Sequence, residues 1–149
     1  MGAKIPKQYI KIGGREIALY SLDKFAGMEL VGEVIVVCEE EFEPLFRNAW
    51  CTDDKPLKFA RPGKERQDSA FNGFAVASDG ASLIAIHDSA RPLFTADLAA
   101  ACFHDAHEHG AAVLGVSKPP TPPHPTPTRT CLRSTTRTHT PPSPRADAF

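Results

Sequence analysis

The stretch EVIVVC, residues 33–38, decides the fold class of this 149-residue chain. It consists mostly of β-branched residues and is too short for an ordinary helix. A continuous apolar run of this kind predicts a strand that is buried on both faces, as the strands of parallel sheets are. Similar apolar runs predict further strands at residues 57–60, 83–87 (LIAIH) and 111–116.

Helical patterns fill the sequence around these strands. Their apolar residues recur at helical spacing and predict four helices, at residues 17–28, 40–48, 66–78 and 95–109. Thr95 has the side chain of a helix N-cap, and Gly110 is a residue that ends helices. The alternation of strands and helices predicts an α/β domain with a mostly parallel sheet. Ligands of such sheets bind beyond the carboxyl ends of the strands.

Composition excludes several classes of function. The 17 basic and 18 acidic residues give a net charge of −1, which provides no positive field for nucleic acid. No apolar run approaches the ~20 residues that a membrane span needs. The first ten residues resemble neither a secretory signal nor a transit peptide. The four cysteines form no C-x-x-C pair, so we expect free thiols rather than a zinc site or a disulfide framework.

The composition changes abruptly after residue 116. Residues 117–149 contain nine prolines and eight threonines and have no hydrophobic periodicity. Proline removes backbone donors and fixes φ, so we expect a disordered tail with polyproline II character. The predicted domains are therefore residues 1–116 and a tail at 117–149. The tail is interpreted as a solvated segment or as sequence translated from outside the normal frame, with a partner-docking segment as the alternative.

Three polar stretches stand out, one near the N-terminus, one before the helix predicted at 66–78 and one directly after the strand predicted at 83–87. They are PKQY at residues 6–9, PGKERQDS at 62–69 and HDSARP at 87–92. Taken one at a time, they indicate only a surface lysine, a loop before a helix and a local Asp–Arg ion pair. A fourth polar group, at residues 104–109, contains three histidines, and we favour a polar helix end over a metal site there.

Taken together and in this order, the stretches resemble the 2-C-methyl-D-erythritol 4-phosphate cytidylyltransferase family, with GAAVLGV at 110–116 as a further match. The resemblance covers about residues 1–116, and the residues within its motifs are most like those of the plant and algal members. It implies a Rossmann-like nucleotidyltransferase fold, a three-layer α/β/α arrangement with a mostly parallel sheet. It also implies a plastid location, with the cytoplasm as the alternative.

The resemblance implies a reaction in which the phosphate of a polyol phosphate attacks CTP and releases pyrophosphate. It assigns catalysis to Lys7 and Asp88, nucleotide binding to Gly63, Lys64 and Ser69, and substrate binding to Asp88 and Arg91. It further implies that Asp88 binds Mg²⁺ or another divalent cation. The residue types suit these roles, because lysine and arginine stabilise phosphoryl charge and a carboxylate is a hard oxygen ligand.

The chain departs from the family pattern at both ends. Met1 and Gly2 coincide with the end of the family's glycine-rich phosphate loop, and the strand before that loop has no counterpart. The family's C-terminal half is replaced by the Pro/Thr tail, so we expect a partial fold, little or no turnover, and no homodimer of the kind complete members form. The alternatives are a ribitol 5-phosphate cytidylyltransferase-like enzyme, another nucleotidyltransferase, and a non-catalytic fragment that binds a partner through its tail.

Overall fold

A computed structural model describes residues 5–115 of the chain. The predicted tail at 117–149 lies outside these residues, as do Met1 and Gly2. The described elements, in chain order, are a 3-10 turn Lys7–Tyr9, β1 Lys11–Ile12, β2 Arg15–Glu16, α1 Ile17–Ala26, β3 Val34–Val37, a 3-10 turn Glu40–Phe42, α2 Glu43–Ala49, β4 Leu57–Ala60, α3 Arg66–Ala75 and α4 Ala96–His109.

The central pairing of the fold joins β3 and β4 in parallel. Val34 pairs with Leu57, and the register runs without a break to Val37 opposite Ala60. The predictions of strands at 33–38 and 57–60 are thereby confirmed to within a residue at each end. Helix α2 lies in the crossover between them, as parallel neighbours require.

Helices cover both faces of this pair of strands. Val36 packs against the core cluster that α1 and α2 form. Its neighbour Val37 points to the opposite face, because side chains alternate along a strand, and there it meets Gly73 of α3. A Cβ at Gly73 would lie 3.2 Å from the side chain of Val37, so α3 approaches the sheet closely through its glycine. The predicted three-layer α/β/α arrangement is confirmed for this part of the sheet.

The hydrophobic core lies on the α1 and α2 side. Its buried members are Ala18, Leu19, Leu22, Cys38 and Phe46. These residues come from one face of α1, from the end of β3 and from α2, so the core fixes these three elements to one another.

Two predicted strands are wrong. Residues 83–87 adopt no regular secondary structure and have no strand partner in the described part of the chain, and the described part of 111–116 contains only an isolated bridge at Val113. Ile84 and Ile86 are 49% and 68% exposed. An apolar run forms a strand only where its backbone groups find a neighbouring ladder, and neither segment acquires one within residues 5–115.

A short hairpin was not predicted. Strands β1 and β2 pair antiparallel around Gly13 and Gly14, whose φ angles are 61° and 84°. Two successive positive φ angles define the tight turn that matches the twist of a hairpin, and glycine adopts them without strain. The Gly-Gly dipeptide was the signal available in the sequence.

The predicted helix ends are confirmed best for α4. The Leu98 amide donates to the Thr95 hydroxyl oxygen at 3.2 Å, so Thr95 is the N-cap. Gly110 has a φ of 85° and donates its amide to the Ala106 carbonyl at 2.8 Å. The helices predicted at 17–28 and 66–78 are confirmed but end two and three residues earlier, and the one at 40–48 begins as a 3-10 turn and ends at Ala49.

The described part of the chain contains no helix that is both long and apolar enough to cross a membrane. Cys38, Cys51 and Cys102 are free thiols.

Glu33 braces the amino-terminal end of the parallel pair. Its carboxylate accepts bonds from the amide and the hydroxyl of Ser78, both at 2.8 Å, and lies 2.7 Å from the ammonium of Lys58. The brace therefore joins the start of β3 to β4 and to the end of α3. These bonds, that from Lys58 first, lower the pKa of Glu33 to about 2.

We predict that Glu33→Gln lowers the free energy of unfolding at pH 7 by about 1.5–3 kcal/mol, the range for hydrogen bonds to a charged group. A depressed folded-state pKa stabilises the protein above the unfolded value of 4.5, and this stabilisation is lost as the pH falls through about 2. Urea unfolding between pH 2 and 7 measures both effects. The matched control is the exposed Glu29→Gln, and equal curves for the two variants would contradict the brace.

Candidate functional site

The carboxyl ends of β3 and β4 define the site, and the Lys7–Tyr9 turn lies beside the first of them. The ring of Tyr9 stacks on Phe42, just beyond β3, with centroids 3.7 Å apart and planes at 13°. Burial, with a further contribution from Cys38, raises the pKa of Tyr9 to about 12, so this ring stays neutral. Tyr9 thus anchors the turn that carries Lys7 at the carboxyl end of β3.

The segment after β4 forms a turn that closes on itself. The Gly63 amide donates to the Ser69 hydroxyl oxygen at 3.0 Å, and that hydroxyl donates to the Glu65 carbonyl at 3.2 Å. The Glu65 amide in turn donates to the Asp68 carboxylate at 3.1 Å. Ser69 therefore holds the turn together and keeps one lone pair for a ligand. Lys64 projects from the turn as an exposed side chain.

Gly63 has a steric reason to be glycine. A Cβ placed on it would lie 2.1 Å from the Cβ of Asp68, well inside the closest approach of two carbon atoms. The missing side chain lets the turn pass over the first residues of α3. It also leaves backbone rather than side chain at the surface of the turn.

Asp88 follows the segment 83–87 and heads a tight loop. One carboxylate oxygen accepts the Ala90 amide at 3.1 Å, and the Arg91 amide donates to the Asp88 backbone carbonyl at 2.9 Å. The second carboxylate oxygen lies 3.5 Å from Nε of Arg91 and 3.8 Å from Nη2 of Arg66.

Three cations act on the charge of this carboxylate, and two of them, Arg66 and Arg91, lie within 4 Å of it. The Ala90 amide is the largest cause of a lowered pKa at Asp88, and the charges of Lys7, Arg66 and Arg91 lower it further. Asp88 is therefore ionised at neutral pH. The arginine side chains are 83% and 80% exposed, so their ion pairs with Asp88 are individually weak. Both guanidinium groups are free to turn towards an anionic ligand, for which they offer forked donors.

The donor set fits a magnesium ion that is shared with phosphate. Across residues 5–115, no three His, Cys, Asp or Glu side chains come together as a metal cage. Asp88 supplies a single ionised carboxylate, and Mg²⁺ in nucleotide sites is typically held by one or two carboxylates plus substrate phosphates and water. Within the described residues the histidines of 104–109 form no such cage either, and the interpretation of a polar helix end stays a prediction.

The structure brings Asp88 and Arg91 together, with the charge of Lys7 acting on Asp88, and it places Gly63 and Ser69 in a neighbouring turn. Arg66 connects the two groups, because it begins α3 directly after the turn and its guanidinium reaches Asp88. Sequence reasoning quoted Arg66 within its motif but gave it no role. Only the spatial contact with Asp88 reveals one.

We predict that Gly63→Ala lowers the free energy of unfolding by about 1–3 kcal/mol, as overpacking does, because the new Cβ collides with Asp68. Gly80→Ala is the matched control, since a Cβ there meets nothing within 4 Å. It should change stability by less than about 0.5 kcal/mol. Chemical denaturation measures both variants, and an equal, small effect would contradict the packing of the turn.

Comparison with known proteins places this geometry in a family. The family model described as 2-C-methyl-D-erythritol 4-phosphate cytidylyltransferase matches residues 1–119. The chloroplastic enzyme of that name from Oryza sativa subsp. japonica is 46% identical over 116 residues, covering 78% of this chain and 39% of the rice protein. The Chlamydia pneumoniae enzyme of that name is 36% identical over 132 residues, covering 89% of this chain and 59% of the relative.

A solved structure supports the fold independently. The crystal structure of 4-diphosphocytidyl-2C-methyl-D-erythritolsynthase from Anaerococcus prevotii matches with a TM-score of 0.67 and 21% identity. The match covers 75% of this chain and 51% of that one, and it confirms the partial Rossmann-like α/β fold. The chain spans less than two thirds of the length of these relatives. From the family model and the two sequence relatives together, the chain belongs to the 2-C-methyl-D-erythritol 4-phosphate cytidylyltransferase family.

Proposed function

We propose that this site binds CTP with Mg²⁺ and contributes to cytidylyl transfer onto 2-C-methyl-D-erythritol 4-phosphate. The observation that carries the proposal is the ionised Asp88 paired with Arg66 and Arg91, with the charge of Lys7 acting on it, at the carboxyl ends of the strands. Such a site suits a ligand with several negative charges and a bound cation. The names of the relatives described above supply the identity of that ligand and of the acceptor.

In the proposed reaction, a phosphate oxygen of the acceptor forms a new bond to the α-phosphorus of CTP. The bond between that phosphorus and the bridging oxygen to the β-phosphate breaks, and pyrophosphate leaves with the electron pair. Negative charge gathers on the phosphoryl oxygens during this exchange, so catalysis rests on positioning and electrostatic stabilisation. Lys7 stabilises the charge at the α-phosphate, and Arg91 holds the acceptor phosphate through its forked donors.

Asp88 is the proposed cation ligand. When bound there, Mg²⁺ would neutralise phosphate charge and orient the leaving pyrophosphate. The requirement on the protein is an ionised carboxylate next to the phosphates, and the bond from the Ala90 amide helps to keep Asp88 in that form.

The Gly63–Ser69 turn is the proposed binding surface for the cytosine base. Backbone at Gly63 permits a close approach, and the Ser69 oxygen and the backbone around Lys64 can read polar edges. The turn and the Asp88 loop adjoin through Arg66. A base bound on the turn therefore has its phosphates on the side of Asp88 and Lys7.

Two finer points are part of the same proposal. The acceptor is methylerythritol phosphate rather than ribitol phosphate, because both sequence relatives described above carry the former name. The location is the plastid, because one of these relatives is a chloroplastic enzyme from a plant. The predicted absence of a homodimer stays a prediction.

We predict that the chain binds CTP with Mg²⁺ more tightly than UTP or GTP, and that Asp88→Asn weakens CTP binding at least about tenfold, a factor worth about 1.4 kcal/mol. The physical reason is that the asparagine side chain carries no charge to hold the cation. Isothermal titration calorimetry with and without Mg²⁺ measures this. Binding is the readout rather than turnover, because the chain spans only part of its relatives' length.

The matched control for this experiment is Asp79→Asn, a change at an exposed carboxylate away from the motifs. It should leave affinity and Mg²⁺ dependence unchanged. Equal affinity for the three nucleotides, or unchanged binding by Asp88→Asn, would count against the proposed function.

A further inference from the structure

The loop that carries Asp88 and Arg91 is attached to helix α1 at its beginning. Nε2 of His87 lies 3.2 Å from the hydroxyl oxygen of Ser21, within hydrogen-bonding distance. Ser21 is only 3% exposed and is the one buried polar residue among those described. A buried hydroxyl needs a hydrogen-bond partner, and His87 supplies it.

The same helix holds the other end of the loop. The ammonium of Lys24 donates to the carbonyls of Pro92, at 2.7 Å, and Phe94, at 2.5 Å. Phe25 stacks on Phe94 with centroids 4.9 Å apart. Contacts from neighbouring turns of one helix therefore fix both ends of residues 87–94.

The His87 ring completes an aromatic cluster between these two attachments. Its centroid lies 5.2 Å from that of Phe25 and 4.6 Å from that of Phe94. Packing against two rings fixes the plane of the imidazole, and the bond to Ser21 fixes its rotation within that plane. The backbone that immediately follows His87 is that of Asp88, so a fixed imidazole limits where the carboxylate can lie.

These contacts matter because the sheet does not hold the loop. The preceding segment, 83–87, has no ladder partner within residues 5–115, so the sheet does not set its position. The ion pairs of Asp88 with Arg66 and Arg91 are exposed and weak. The attachment to α1 joins the loop to the rest of the fold.

We infer that His87 is a positioning residue, which acts with Ser21 to hold the Asp88–Arg91 loop in the geometry that the ligand requires. His87 itself need not touch the ligand. Its expected effect on nucleotide binding rests on the proposed function, whereas its effect on the loop does not.

Hydrogen exchange in the ligand-free chain, followed by NMR, tests the inference. The Ala90 and Arg91 amides are the reporters, because both bond to Asp88. His87→Phe keeps a ring but removes the bond to Ser21, and it should speed exchange at both amides about two- to tenfold, the range set by one ordinary hydrogen bond. Ser21→Ala should do the same, and the double variant should be no faster than either single one.

Two controls separate positioning from general destabilisation. His87→Gln returns a polar group near the position of Nε2 and should restore most of the protection. His104→Phe, at an exposed histidine of α4, should change neither reporter amide.

Unchanged exchange at Ala90 and Arg91 in both single variants would overturn the inference, as would effects that multiply in the double variant. Calorimetry with CTP and Mg²⁺ provides a second measurement, in which His87→Phe should weaken binding by a similar factor. If the exchange results appear as expected while the unaltered chain binds no CTP, the inference stands and the proposed function fails.

Discussion

The parallel pairing of β3 with β4 is the constraint on which the rest of the structure depends. Because the two strands run in the same direction, their carboxyl ends lie side by side, and the loops that follow them start at Cys38 and Arg61. The core cluster of α1 and α2 covers one face, and α3 covers the other through Gly73. The helices thus fix the positions of the two strands. The loops that follow the strands become neighbours because both strands end on the same side of the sheet.

The two halves of the candidate site are held by different means. The Gly63–Ser69 turn is held by the sheet and by α3, since it links β4 directly to α3 and closes through its own hydrogen bonds. The Asp88 loop follows a segment without strand partners in the described part of the chain, and it depends on side-chain contacts with α1.

Sequence patterns predicted what local chemistry determines. The run of β-branched residues at 33–38, the N-cap Thr95 and the helix-ending Gly110 each carry their own signal, and the structure confirms them. The strands predicted at 83–87 and 111–116 were wrong because a strand also needs a neighbour, which no local pattern reports. Lys7, Gly63 and Asp88 were singled out through their motifs, and their roles stay proposals. The link from Arg66 to Asp88 and the bond between Ser21 and His87 were missed, since these residues lie far apart in sequence.

In the proposed site, three motifs that are separate in sequence meet around one nucleotide at the carboxyl ends of the strands. The most direct test is a titration of the isotopically labelled chain with CTP and Mg²⁺, followed by the shifts of its backbone amides. This arrangement predicts that the large amide shifts fall together on the Lys7–Tyr9 turn, on residues 63–69 and on residues 88–91, and that all of them report one common affinity for CTP. Shifts confined to one of these segments, or centred on the histidines of α4, would contradict it.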